Sequence, residues 1–384
     1  MTRVANAVSS SGAPAAWVWS DVDPDAHFAA DYAEARKKFL AAAAQLAAPI
    51  ETHVHPSARG PDGEVLAIDI ALLGDAVSPS LLLVTSGTHG AEGFCGSGCE
   101  VALMHDPSFI DAVRRSGVAV ALLHALNPYG FAHLVRTNED NVDLNRNCRD
   151  FAASPPNAAY LEVHEFIVPD TWPPSAQNER RMADYVAAHG TSALQQAVSA
   201  GQSDRADGLF FAGTKPAWSS DVLRDALRRH AGSRRHLVWI DIHTGLGPLG
   251  HAEKIYAGPD DSAVLARTRA CFGADVTSIY DGSSTSAQLS GMLFNVVPEA
   301  CADVEYAGVA LEYGTLPFAQ VLAALRARQW LANHPQADAA SRERILRMTR
   351  DAFYVDTPAW KAMAFAQARV AALQALAATK GRGR

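Results

Sequence analysis

Residues 80–93 read SLLLVTSGTHGAEG, and this stretch decides the fold class. Its first six residues form a short and nearly continuous apolar run, which is typical of a strand buried on both faces of a sheet. The glycines between positions 87 and 98 predict a turn that leads into a helix near residues 101–104. Because a second buried strand is predicted at residues 117–123, the segment forms a βαβ unit.

The same patterns recur on either side of this unit. Residues 64–73 alternate as a strand does, and we expect this strand to pair with the first one. Residues 237–242 and 308–311 have the composition of further buried strands. Helical periodicity predicts a helix at residues 25–48 and another at residues 263–272. The sequence therefore predicts an α/β fold.

Three segments lie outside this core pattern. Residues 1–24 are small and polar and predict a loose N-terminal leader, without the apolar stretch of a secretory signal. Residues 149–235 are polar and largely helical, which predicts a helical insertion that packs on the sheet. Residues 317–384 form a helical C-terminal part, in which Thr357 caps the last helix and Pro358 is its first residue. We expect one catalytic domain over all 384 residues.

Composition excludes several classes of protein. The chain has 33 Lys and Arg against 41 Asp and Glu, and a net charge of -8 disfavours a nucleic-acid partner. No run reaches the roughly 18 apolar residues of a membrane span. The five cysteines include no C-x-x-C pair, which argues against a disulfide framework or a cysteine-ligated zinc site. These features predict a cytoplasmic protein with no membrane partner.

Polar side chains follow three of the predicted strands directly. His89 and Glu92 follow the first strand, His243 follows residues 237–242, and Glu312 follows residues 308–311. In open α/β sheets, sites form beyond the carboxyl ends of the strands, so these residues can meet there. Two histidines and one carboxylate, with a fourth position left open, form the ligand set of catalytic zinc. The alternative for His89 is that it only caps the turn.

Five motifs occur in an order that resembles the zinc carboxypeptidase superfamily. They are THGAEG, HALNPYG, NVDLNRN, DIHTG and ALEYGT, and together they span residues 88–315. The chain looks most like a bacterial cytosolic branch of that superfamily, and related motifs occur in the aspartoacylase and succinylglutamate desuccinylase deacylases. The resemblance implies a three-layer αβα zinc-carboxypeptidase-like (phosphorylase/hydrolase-like) fold with a mixed central sheet.

The resemblance also implies a metal centre. It makes His89, Glu92 and His243 the ligands of one Zn2+ per chain, which is the His2Glu set known from carboxypeptidase A. It makes Glu312 the general base that takes a proton from the attacking water and later delivers it to the leaving amine. Two alternatives remain open. Glu312 could be a salt-bridged carboxylate at a strand end, and Glu305 is a rival base that is less well placed.

Four further residues receive roles from the same resemblance. Asp143 matches the carboxylate that orients the first zinc histidine. Asn145 and Arg146 match the pair that binds the terminal carboxylate of the substrate, for which the guanidinium fork is well suited. Arg136 matches the arginine that polarises the scissile carbonyl. For either arginine the alternative is an ordinary surface residue.

The pattern departs from digestive carboxypeptidases in two respects. The insertion lengthens the spacing between Glu92 and His243, and it could roof the pocket. The tyrosine that many carboxypeptidases have near the leaving residue has no clear counterpart. Tyr280 and Tyr313 are candidates, and both are expected to be packing or turn residues.

Three functions follow from these observations. The first is a metallocarboxypeptidase that acts on small peptides, and the second is an N-acyl-amino-acid deacylase of the aspartoacylase type. A long helical tail, in place of the β-rich C-terminal domain of those deacylases, favours the first. The third is a non-catalytic binding protein that retains zinc as an element of its fold. It is disfavoured because a structural site has no use for Glu312 and Arg146.

Overall fold

The computed structural model describes residues 23–153 and 156–379. The expected leader, residues 1–24, therefore lies outside the described residues except for its last two positions. Within the described ranges, no helix is both long enough and apolar enough to cross a membrane.

One eight-stranded sheet forms the centre of the molecule. Its strands are β1 (Ile50–Arg59), β2 (Val65–Gly74), β3 (Ser80–Thr85), β4 (Ala119–His124), β5 (His236–Leu249), β6 (Ala252–Tyr256), β7 (Thr277–Ser278) and β8 (Glu305–Gly314). They lie in the order β1-β2-β4-β3-β5-β8-β6-β7. Strands β4, β3, β5 and β8 are parallel, whereas β1 with β2, β2 with β4, and β8 with β6 are antiparallel. The predicted α/β fold with a mixed sheet is confirmed.

Thirteen α-helices surround the sheet within the described ranges. They are α1 (Tyr32–Gln45), α2 (Gly93–His105), α3 (Pro107–Ser116), α4 (Pro128–Ala132), α5 (Ala158–Ile167), α6 (Ala176–His189), α7 (Thr191–Ser199), α8 (Trp218–His230), α9 (Ser262–Phe272), α10 (Val297–Ala300), α11 (Phe318–Asn333), α12 (Ala339–Phe353) and α13 (Pro358–Thr379). Helices α5 to α8 fall in the predicted insertion, and α11 to α13 form the helical C-terminal part. The hydroxyl of Thr357 accepts a hydrogen bond from the Trp360 N–H, as expected of the cap.

Side chains along the central strands alternate between the two faces of the sheet, so helices pack on both faces and form three layers with it. Leu82 and Val84 belong to one hydrophobic cluster, which includes residues of α1, α2, α3 and α13. Leu81 and Leu83 belong to a second cluster, which includes residues of α8 and α10. Because successive strand side chains point to opposite faces, the apolar run of β3 contributes to both clusters. The sheet is therefore covered on both sides by helices.

Three expectations about individual elements are wrong. The helix predicted at residues 25–48 begins only at Tyr32, because the Asp31 carboxylate caps it by accepting from the Glu34 N–H. Strand β2 does not pair with β3, since β4 lies between them. Helix α2 begins at Gly93, and not near residue 101. Its glycines allow close packing, since a Cβ on Gly98 would lie 2.4 Å from the Phe28 ring.

Candidate active site

His89, Glu92 and His243 come together where the pairing of β3 with β5 ends, at Thr85 and Asp241. His243 was expected to follow its strand, but β5 continues past it to Leu249. One ligand atom of each lies within 4.8 Å of the others, and all three side chains are buried. His89 Nδ1 lies 2.8 Å from Glu92 Oε1, and His243 Nδ1 lies 3.2 Å from Glu92 Oε2 and 3.3 Å from His89 Nδ1. Zinc bonds of about 2.0–2.1 Å in a tetrahedron place ligand atoms roughly 3.3 Å apart. The donor set and its spacing therefore fit a zinc ion.

The turn after β3 places the first two ligands. His89 precedes a single 3-10 turn, Gly90–Glu92, which positions Glu92 next to it. A Cβ on Gly90 would lie 1.9 Å from the carbonyl carbon of Gly130, so only glycine fits where this turn meets α4. The Thr244 N–H donates to Glu92 Oε2 at 3.0 Å and thereby orients the carboxylate.

The three candidate metal ligands, His89, Glu92 and His243, are here called the ligand cluster. The carboxylates in and beside this cluster favour positive charge there. Burial alone would raise the pKa of Glu92, but His89 and His243 hold that pKa below its usual value. Burial alone would lower the pKa of His243, but the charge and hydrogen bond of Asp241 raise it well above its usual value. A divalent cation placed among the three groups would interact favourably with the same carboxylates.

Each histidine has a carboxylate at its outer nitrogen. His89 Nε2 lies 3.3 Å from Asp143 Oδ1, and His243 Nε2 lies 2.6 Å from Asp241 Oδ2. The outer nitrogen of His89 also lies 2.7 Å from an Arg136 nitrogen. Only the tautomer protonated on Nε2, donating to Asp143, leaves Nδ1 of His89 free for a cation.

The sequence interpretation did not single out Asp241. The spacing could have identified it. Asp241 lies two residues before His243 in a strand, and residues two apart in a strand point to the same face of the sheet. Oδ1 of Asp241 accepts from the hydroxyls of Thr85 and Thr88, at 2.6 and 2.9 Å, which fixes the carboxylate. Asp241 is thereby held to orient His243.

Replacing Asp241 by Asn should weaken zinc binding by about 10- to 100-fold. The Asn oxygen can still accept from the two threonines, but its NH2 group then faces His243 Nε2. This arrangement favours the tautomer protonated on Nδ1, the atom that faces the ligand cluster. A zinc titration against a competing chelator measures the change.

Asp106→Asn is the matched control for this measurement. Asp106 is also buried, but it caps α3 and pairs with Arg369 away from the site. Zinc affinity should be unchanged in this variant. If Asp241→Asn binds zinc as tightly as the wild-type protein, Asp241 does not orient His243 for metal binding.

Glu312 lies directly beside His243 in the sheet, because the two residues are partners in the register of β5 and β8. Its Oε1 accepts from the Leu246 N–H at 2.9 Å. Within the described residues no cation lies at ion-pair distance from it, so the salt-bridged alternative is not observed. Burial, and then the charge of Glu92, raise the pKa of Glu312 to about 8. Glu305 lies at the opposite end of β8 and is 54% exposed, which removes it from the site.

Arg136 is held against the ligand cluster. Its Nε donates to Asp143 Oδ2 at 2.9 Å, and its Nη1 donates to Glu92 Oε1 at 3.2 Å. Burial would raise the pKa of Asp143, but the charges of Arg136 and His89 hold it well below its usual value. The side chain of Arg136 is 14% exposed, so it is not an ordinary surface arginine.

Arg146 is a buried guanidinium without a carboxylate partner in the described part of the chain. Its Nε and Nη2 donate to the Ser199 carbonyl at 2.9 and 2.7 Å, and its Nη1 donates to the Asn145 carbonyl at 2.7 Å. Burial lowers its pKa to about 10, so it is charged at neutral pH. Two of its five N–H donors remain for an anion. Asn145 lies beside it, and its Oδ1 accepts from the Leu293 N–H at 2.9 Å.

Phe210 contacts both arginines, and no sequence motif indicated it. Its ring centre lies 4.7 Å from the Arg136 guanidinium carbon and 5.3 Å from that of Arg146. Its φ of 52° lies in the left-handed region, which is uncommon for a large residue. Such strain is often found at functional sites. The insertion thus supplies an aromatic face that positions both guanidinium groups.

The candidate metal ligands, Glu312, both arginines, Asn145 and Phe210 line one pocket, which is partly open to solvent. Among the described residues that line it, no tyrosine is present. The hydroxyl of Tyr280 donates to the Gly258 carbonyl and that of Tyr313 to the Ala364 carbonyl, so both serve packing, as expected. Helices α7 and α11 contribute to the pocket wall, which places the insertion and the C-terminal part at the site.

Several solved structures are similar in fold. They include carboxypeptidase A from Helicoverpa armigera, with 14% identity over 84% of this chain and 73% of that one and a TM-score of 0.46. Bovine thrombin-activatable fibrinolysis inhibitor in complex with tick carboxypeptidase inhibitor has 12% identity, coverages of 80% and 97%, and a TM-score of 0.42. A metallo-carboxypeptidase from Burkholderia cenocepacia has 15% identity, coverages of 78% and 67%, and a TM-score of 0.38.

A comparison with curated proteins finds no match. The sequence family described as "Protein of unknown function (DUF2817)" matches residues 28–367. This match covers most of the sequence, and the chain belongs to the DUF2817 family.

Proposed function

We propose that the protein is a zinc-dependent hydrolase that cleaves an amide bond next to a free carboxylate. The observation that supports this best is the content of one pocket. It holds three candidate metal ligands together with Glu312 and the buried guanidinium of Arg146, and among residues 23–153 and 156–379 neither of the last two has an ion-pair partner. A purely structural zinc site would have no use for the last two groups.

Glu312 and Arg136 have separate roles in the proposed reaction. When bound, zinc supplies a Lewis acid that lowers the pKa of water at the site to about 7. The charge of a bound zinc ion would lower the pKa of Glu312 from about 8, so that its carboxylate can accept a proton from the attacking water and deliver it to the leaving amine. Arg136 donates to Asp143 and Glu92, and its remaining N–H groups stabilise the oxygen of the scissile carbonyl as negative charge develops on it.

Arg146 and Asn145 bind the carboxylate of the leaving residue. The free N–H groups of Arg146 supply charge, and the Asn145 oxygen is already used, which leaves its NH2 group as a donor. Within this proposal, the first candidate is a metallocarboxypeptidase that acts on small peptides. The second is an N-acyl-amino-acid deacylase, which needs the same groups. It is favoured by the apolar side of the pocket near Glu312.

The proposal predicts a strong preference for free carboxylates over their C-terminal amides. A bidentate charged contact contributes about 2–5 kcal/mol when its loss leaves a buried charge unpaired, which corresponds to roughly 30- to 5000-fold in kcat/KM. Arg146→Ala should lose most of this preference, because the amide never had the contact. The measurement is kcat/KM for a matched acid and amide on both proteins, together with zinc content.

Arg149→Ala is the control for loss of an arginine. Arg149 lies three residues later, donates to the hydroxyls of Ser203 and Ser290, and does not line the pocket. Its variant should keep the acid preference. Equal rates for the acid and the amide in the wild-type protein would exclude both candidate functions.

A further inference from the structure

The pocket has two apolar walls, and apart from Leu246 their residues belong to or pack against two separate hydrophobic clusters. One wall, here called the leaving-group wall, consists of Ile255, Ala257, Leu289, Met292, Phe294 and Ala310. The other, here called the acyl wall, consists of Leu246, Phe318, Val321, Leu322, Leu325 and Phe353. The two walls face different parts of the catalytic machinery.

The leaving-group wall adjoins the carboxylate-binding residues. Asn145 accepts from the N–H of Leu293, which stands between Met292 and Phe294 of that wall. A substrate whose carboxylate contacts Arg146 and Asn145 therefore places the side chain of its leaving residue against this wall.

The acyl wall adjoins Glu312. The Leu246 N–H donates to Glu312 Oε1, and the position of a Cβ on Gly245 lies 3.1 Å from the Phe353 ring and 3.8 Å from the same carboxylate oxygen. Since Glu312 acts at the scissile bond, the group beyond that bond, on the acyl side, meets this wall. Four of its members lie at positions 318, 321, 322 and 325, which form one face of α11.

Among the described residues that line the pocket, Glu312 is the acidic side chain beside the acyl wall, and the wall itself contains none. The described charged residues that line the pocket are His89, Glu92, Arg136, Arg146, His243 and Glu312. Each of these is a proposed metal ligand, the proposed base or a proposed substrate-binding group. The ammonium group of a dipeptide would lose hydration next to the acyl wall without gaining a partner, which is costly. An uncharged acyl group has no such cost.

We propose, resting on the function proposed above, that the substrates are N-acyl amino acids whose acyl group is uncharged and apolar. The reaction adds one water across the amide bond. A C–O bond forms at the acyl carbon, the C–N bond breaks, and the water proton moves through Glu312 to the nitrogen. The products are a fatty carboxylic acid and a free amino acid. The face of α11 from 318 to 325 spans about 10 Å, which matches an extended chain of about eight carbons.

The test compares substrates that share one leaving residue. With zinc-loaded protein, kcat/KM is measured for N-acetyl-, N-butanoyl-, N-hexanoyl- and N-octanoyl-phenylalanine and for the dipeptide Leu-Phe. We expect a rise of up to about fourfold for each added methylene, because each one removes apolar surface from water. Octanoyl-phenylalanine should exceed Leu-Phe by at least about tenfold. Binding of the same compounds to zinc-free protein, measured by calorimetry, should follow the same order.

Two variants assign the effect to the acyl wall. Leu322→Asn, similar in size but polar, should reduce the rates of the hexanoyl and octanoyl substrates and largely spare the acetyl one. Val321→Thr is a milder change that serves the same purpose if the first variant folds poorly. Gln320→Asn, on the exposed side of α11, is the control and should change none of the rates.

The outcomes separate this inference from the function on which it rests. A faster rate for Leu-Phe than for the octanoyl substrate, or rates independent of chain length, would overturn the proposal that the acyl group is apolar. Either result would leave the hydrolase proposal intact. No hydrolysis of any of these carboxylates by zinc-loaded protein would overturn the hydrolase proposal itself.

Discussion

Replacing Glu312 by Gln should reduce turnover by about 10²- to 10⁴-fold while zinc stays bound. Gln keeps the size of Glu and can still accept from the Leu246 N–H, but it cannot take a proton. The loss should therefore fall on kcat, with substrate binding retained. Steady-state kinetics on the best free-carboxylate substrate, with zinc content determined on the same sample, measures both quantities.

A buried glutamate outside the pocket provides the control. Glu100 in α2 accepts from the Ser86 hydroxyl, and burial raises its pKa well above the usual value. Gln at this position keeps the size of Glu and can still accept from the Ser86 hydroxyl, and Glu100 does not line the pocket, so Glu100→Gln should leave turnover unchanged. A wild-type rate in Glu312→Gln would mean that another group is the base.

Replacing His243 by Ala should abolish stoichiometric zinc binding. Two of the three protein donors remain, and the Asp241 carboxylate loses the nitrogen that it orients at 2.6 Å. The loss of affinity should exceed that of Asp241→Asn, because a ligand is removed and not merely reoriented. Hydrolysis should fall to the background rate, since Glu312 alone is a weak catalyst without a Lewis acid beside it.

Much of the sheet could be predicted because its central strands are apolar on both faces. Strands β3 and β4 are short apolar runs, and each was predicted to within two residues. The apolar start of β5 was also predicted, but the strand continues to Leu249, seven residues beyond its predicted end, through polar residues and glycines. Strand β1 was missed because it lies at the edge of the sheet, and most of its residues are polar or exposed. The predicted pairing of β2 with β3 was also wrong, because the residue pattern of a strand does not identify the strands next to it.

The candidate site was predicted where a motif encodes it. His89, Glu92, His243 and Glu312 belong to ordered motifs, and the structure brings their side chains together. The motifs identified the residues although His243 and Glu312 lie within β5 and β8 and do not follow them. Phe210 could not be found in this way. Its contribution depends on a left-handed backbone and on stacking across the insertion, and neither leaves a pattern in the sequence.

The acyl wall is a second part of the site that the sequence did not predict. The sequence predicted that the chain is helical from residue 317, but it did not indicate which residues of α11 face the pocket. The apolar face of α11 could have packed entirely against another helix. Only the tertiary structure shows that Phe318, Val321 and Leu325 also line the catalytic pocket.

The central claim is that His89, Glu92 and His243 hold one catalytic zinc ion, and a zinc titration followed by hydrolysis rates tests it most directly. Chelator-treated wild-type protein should be inactive, and activity should return in proportion to added zinc until one equivalent per chain is bound. His243→Ala, treated in the same way, should retain no zinc by elemental analysis and recover no activity. Stoichiometric zinc in His243→Ala, or full hydrolysis by zinc-free wild-type protein, would contradict the assignment.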